Sequence, residues 1–191
     1  MALEDDLGVR SALYFLTERR LAELSPSELL DPSTLVQQFG RYDVQSSSFR
    51  SLLKRLDEGG WEVGFHGSFP TATDRERLDY EKRRIEDVLD RPILGGRQHY
   101  LRLSVPTTWH HYADAGLRYD ASLGSTTDYG FEYGYDVRRP FDDDFVVFPL
   151  TVMETTLPDP GSDPDDAWAA CEDLLDEAAA NDAVMTALWH P

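Results

Sequence analysis

Short apolar runs alternate with helix-like stretches from one end of this chain to the other, and that alternation limits the folds open to it. "SALYFL" (11–16) has the length and composition of a buried strand. "WEVGFH" (61–66), "ILGGRQHYL" (93–101), "LRYDASLG" (117–124), "DFVVFPL" (144–150) and "AVMTALWH" (183–190) repeat the pattern. Helical stretches separate them. "SPSELL" (25–30) and "DPSTLVQQF" (31–39) place proline at the first helical position, where its missing N–H costs nothing. Phe49, Leu52, Leu53 and Leu56 share one helical face, and Gly59-Gly60 stops that helix. Residues 71–89 form the clearest helix, with Leu78, Ile85, Val88 and Leu89 as its inner stripe and a charged remainder. "PTTWHHYADAG" (106–116) closes on Gly116, and Ser162–Ala180 is the last helix. A Gly/Tyr-rich stretch over 124–140 shows neither period. Strands and helices at this spacing predict βα units, a parallel sheet or barrel, and one α/β domain over 1–191.

Charge narrows the class of partner. Thirty-six acidic residues face 18 basic ones, a net charge of −18, and only Lys54 and Lys82 are lysines. The acidic excess runs through periodic apolar sequence, so it is not a disordered acidic tail. A surface this negative repels nucleic acid and anionic membranes, and neither is expected as a partner. It suits a protein working in high salt, where self-repulsion is screened. The single cysteine, Cys171, excludes an intrachain disulfide and a Cys-rich zinc site. Its helical neighbours Ala167, Trp168, Leu174 and Leu175 suggest core packing. No transmembrane run and no signal-peptide pattern is present, so a cytoplasmic protein is expected.

In parallel βα architectures the functional side chains gather at the C-terminal ends of strands. His66, Arg97 with His99, Asp120 and His190 all fall at or just past such ends. Each has a plainer explanation when taken alone. A histidine after a strand is commonly a hydrogen-bonded packing residue, and Asp120 in "YDAS" can cap a turn. His110 and His111, inside a helical pattern, are assigned to packing. Taken together, four strand ends bearing titratable groups favour a reactive rim. Two histidines on neighbouring strand ends can hold a divalent metal through neutral imidazole nitrogens. Hydrolysis at such a metal also needs an open position for water and a carboxylate as ligand or base.

"WEVGFHGS", "GGRQHYL", "GLRYDASLG", "FPLTVMETTL" and "ALWHP", in this order and spacing, resemble the polysaccharide deacetylases of the NodB-homology type (carbohydrate esterase family 4). They look most like a divergent branch common in salt-loving archaea, and the resemblance runs from residue 9 onward. It implies a distorted (β/α)7 barrel. It implies removal of acetyl groups from an acetylated glycan with a divalent metal, usually zinc, an aspartate base and a histidine acid. Carried over by position, His66 matches the first histidine of the metal motif. The second is expected four residues on, where Pro70 stands, and His99 is expected to replace it. Arg97 would orient the catalytic aspartate, and the backbone N–H of Tyr100 would face the oxyanion. His190 matches the general acid, Leu188 lines the acetyl pocket, and Asp120 supports the rim.

The resemblance also exposes what the chain lacks. The family's first motif, a strand ending in an Asp pair, supplies the base and a metal ligand, and it should precede "SALYFL". Asp5 and Asp6 in "LEDDLGV" read as the end of a helix and lie too close to that strand to be the motif. Six strand candidates stand where the family has at least seven. The expectation is an incomplete barrel, missing its first strand and closing elements, whose open sheet edge invites a partner such as a second copy. A start assigned too late, an excised fragment and a degenerate copy fit equally. The expected activity is deacetylation weakened by the missing aspartates. The alternatives are a non-catalytic carbohydrate-binding pseudoenzyme and another metal-dependent amidohydrolase.

Overall fold

The first strand-like run folds as strand β1 (Ala12–Leu16), which pairs in parallel with β2 (Glu62–Gly67) in a register that sets Leu16 beside His66. The computed structural model describes residues 2–17, 26–30, 43–141, 144–158 and 164–190. The chain divides into two compact units, Met1–Ile93 and Leu94–Pro191. The helix expected over 31–39 lies outside the described residues.

In the first unit, helix α1 (Ala2–Leu7) precedes β1 and contains Asp5 and Asp6, as the sequence suggested. Arg10 pairs with Asp5 at 2.8 Å and lies 4.2 Å from the ring centre of Trp61, whose Nε1–H donates to Glu4. These contacts tie Glu4 and Asp5 of the helix to Arg10 and Trp61. A one-turn helix α2 (Pro26–Leu29) follows. Helix α3 (Ser47–Glu58) is capped by Ser46, whose Oγ accepts from the Phe49 N–H, and it buries Leu53 and Leu56. Helix α4 (Arg75–Leu89) starts at Asp74, whose carboxylate accepts from the Arg77 N–H at 2.9 Å. Leu78, Ile85 and Val88 are buried against the sheet-facing side, and Leu89 is half-buried. One part of that stripe differs from expectation. Glu81 and Lys82 are buried on the same face, because positions three and four after Leu78 share its side of a helix.

In the second unit, β3 (Gly95–Gln98), β4 (Tyr119–Asp120) and β5 (Val146–Val147) pair in parallel, with Gly96 opposite Asp120 and Asp120 opposite Val147. Gly95 is required by close approach: the Tyr119 ring occupies the place of any side chain there. Helix α5 (Thr107–Asp114) packs Trp109 and Tyr112 beside β4 and ends at Gly116, whose φ of +82° suits glycine. Strands β6 (Val152–Met153) and β7 (Ala187–Leu188) form a second parallel pair with Met153 opposite Leu188. The apolar run 144–150 reads as one strand, and β6 starts so soon after β5 that no separate run marks it. Helix α6 (Pro164–Asn181) packs Ala167, Ala170 and Leu174 with Val152 and Leu157, and Cys171 packs against that cluster. Trp168 and Leu175, expected beside Cys171, instead point outward at 60% and 51% exposure. These pairings make an α/β fold built on parallel strands, as the alternation predicted.

Candidate active site

The ends of β3 and β4 are stitched together by polar contacts. Arg97, buried on β3, donates from Nε to the Ala121 carbonyl at 2.7 Å. The Gln98 backbone N–H donates to Ser122 Oγ at 2.8 Å, and that hydroxyl donates to Asp120. The other Asp120 oxygen accepts from Trp109 Nε1 at 3.0 Å. Asp120 is fully buried, and burial raises its carboxyl from 3.8 to about 6. The hydrogen bonds from Ser122 and Trp109 and the Arg97 charge oppose that rise but do not cancel it. Asp120 therefore faces inward, held by Ser122 and Trp109. The Arg97 charge acts on the Asp120 carboxyl. Neither Ser122 nor Trp109 was marked by the sequence, since their roles depend on which loop and helix meet β4.

His190 and Leu188 occupy the end of β7. Leu188 is half-buried opposite Met153, while the His190 side chain is 60% exposed. His190 Nδ1 meets Glu154, the residue that follows β6, whose side chain is mostly buried. The second Glu154 oxygen, Oε2, is buried with no hydrogen-bond partner among the described residues. Sequence reasoning missed Glu154. Only the β6–β7 pairing brings residues 154 and 190 together across 36 positions. A carboxylate on one ring nitrogen fixes the tautomer and turns the other nitrogen outward, which suits proton transfer.

His99 lies in the short 3-10 turn His99–Leu101 that follows β3, with its ring stacked on Tyr100 at 4.1 Å between centres. Tyr100 (φ 57°) and Leu101 (φ 51°) both occupy the left-handed region, which bulky residues rarely adopt. Two consecutive residues in that conformation store strain, a feature that clusters at functional turns. The Tyr100 side chain is 68% exposed. His66 is half-buried near the end of β2 in the first unit, and Pro70 lies exposed in the 3-10 turn Phe69–Ala72. Zinc sites use three or four protein ligands. His66 lies in the first unit and His99 in the second. Among the described residues, no group of three or more His, Cys, Asp or Glu side chains is placed to hold a metal ion. The residues described do not fit a complete metal centre. Among the same residues no helix is long and apolar enough to cross a membrane.

No family model matches the chain, and no curated protein matches it. A solved structure does: the "putative polysaccharide deacetylase from Mycobacterium smegmatis", with a TM-score of 0.53 and 16% sequence identity. The match covers 76% of this chain and 55% of that one, so this chain spans about half the length of its neighbour. The likeness is one of fold. It agrees with the α/β architecture of parallel strands reached from the sequence.

Proposed function

We propose that this chain binds an acetylated glycan and removes acetyl groups from it, on a (β/α)7 barrel of the polysaccharide-deacetylase kind. The observation that carries the reading is the His190–Glu154 pair, placed at the ends of two adjacent parallel strands. Glu154 holds the Nδ1 side of the ring, so Nε2 takes a proton from water as the water oxygen adds to the acetyl carbonyl. The imidazolium formed is stabilised by the Glu154 carboxylate. It returns the proton to the sugar nitrogen or oxygen as the bond to the acetyl carbon breaks. Acetate and a free amine or hydroxyl are the products. The backbone N–H of Tyr100 serves the oxyanion, and Leu188 packs against the acetyl methyl group. Arg97 and Asp120 keep the rim of β3 and β4 in place.

A second reading, glycan binding without turnover, is favoured by the shortage of metal ligands among the described residues. Isothermal titration with a fully acetylated chito-oligosaccharide and its deacetylated counterpart tests what the two readings share. The acetylated form is expected to bind at least about tenfold more tightly, a difference of roughly 1.4 kcal/mol. Equal affinity for both sugars, or none for either, would remove both readings.

The charge of −18 supports a proposal about conditions as well: the protein is adapted to high salt, as in salt-loving archaea. Raising KCl from about 0.1 M to about 2 M should screen self-repulsion and lift Tm by roughly 5–10 °C, the equivalent of a few kcal/mol for a chain this size. A flat or falling Tm over that range would assign the charge to solubility alone.

A further inference from the structure

The inner face of α4 carries a carboxylate that the proposed chemistry does not use. Glu81 is 0% exposed. Its Oε2 accepts the Ser68 backbone N–H at 3.1 Å, and its Oε1 accepts both the Ser68 hydroxyl and Arg77 Nε at 2.6 Å. Its own carbonyl accepts the Thr17 hydroxyl at 2.7 Å. Thr17 is the residue after β1, and Ser68 is the residue after β2. The pairing of Leu16 with His66 sets those two strand ends side by side. One helical residue thus grips the ends of both strands, through its backbone on one and its carboxylate on the other.

We propose that Glu81 is a positioning residue that fixes the turn after β2 and, through it, the orientation of His66. A leucine or isoleucine at 81 would continue the buried stripe of Leu78, Ile85 and Val88 without the cost of burying a charge. What the carboxylate adds is direction: two acceptors aimed at one residue, two positions beyond His66. The held turn is then closed locally, because the Ser68 carbonyl accepts both the N–H and the hydroxyl of Thr71, at 3.0 Å and 2.7 Å. Arg77, one helical turn before Glu81, completes the carboxylate's shell with a charged donor. The grip rests on geometry alone and is independent of the function proposed above.

The test uses the full chain, with Glu81→Gln and, as a milder variant that removes one hydrogen bond, Ser68→Ala. Imidazole resonances and amide exchange report the turn directly. In both variants the His66 ring signals should move or broaden, and the amides of Gly67, Ser68, Phe69 and Thr71 should exchange at least about tenfold faster. The rings of His110 and His190, in the other unit, should keep their wild-type shifts. Wild-type His66 signals and exchange in a folded Glu81→Gln chain, or in Ser68→Ala should the first variant fail to fold, would overturn the proposal. Titration of the acetylated oligosaccharide is the separate functional arm. Failure of the wild-type chain to bind it would count against the proposed function and leave the His66 result standing.

Discussion

Replacing Glu154 with glutamine is expected to lower the rate of acetate release by about 100-fold or more, with KM changed by no more than about threefold. Glutamine matches the size of glutamate and can still accept from Nδ1, so the ring stays in place. It cannot offer the negative charge that stabilises the imidazolium formed when His190 takes a proton. An interaction strengthened only as the reaction proceeds lowers kcat and leaves binding alone. The fold should tolerate the change, because glutamine keeps the size of the side chain and its acceptor for Nδ1, while the His190 partner is largely exposed. Thermal unfolding of the variant should therefore overlay that of the wild type. An unchanged kcat would show that the pair is structural.

The second large effect is on stability. Asp120 is fully buried, and its carboxyl is raised to about 6 from the ordinary 3.8. The folded state thus holds this proton more tightly than the unfolded chain does. The stabilisation is fully present below the unfolded pKa and is lost as pH rises through about 6. A shift of about two units corresponds to roughly 3 kcal/mol. Asparagine at 120 cannot ionise, so its stability should be flatter by that amount between about pH 4 and pH 7. Urea unfolding of both proteins at the two pH values measures the difference. Parallel losses in the two proteins would mean that Asp120 is ionised throughout, with Trp109 and Ser122 outweighing its burial.

How much of this was legible in sequence depends on the range of each interaction. Strands β1 to β5 and β7, and the four longer helices at 47–58, 75–89, 107–114 and 164–181, follow from local periodicity and stop signals. So does the position of every candidate residue at a strand end. The misses have physical causes. Glu81 and Lys82 interrupt the apolar stripe of α4, and a reading by hydropathy assigns such residues to solvent. Their burial depends on partners 13 residues back for the Glu81 carboxylate and four residues on for Lys82. Glu154 depends on pairing between two-residue strands far apart in the chain, a contact with no local signature. Trp168 and Leu175 look like core residues by composition, yet α6 turns them outward because Ala167, Ala170 and Leu174 already fill its inner face.

The most direct test of the central claim is acetate release from a fully acetylated chito-oligosaccharide by the full chain, in high salt, beside His190→Ala. Slow but measurable release by the wild type, at least about 100-fold lower in a folded His190→Ala chain, is the predicted result. Release that persists unchanged without His190 would contradict the account, and so would a wild-type chain that binds the sugar and liberates no acetate.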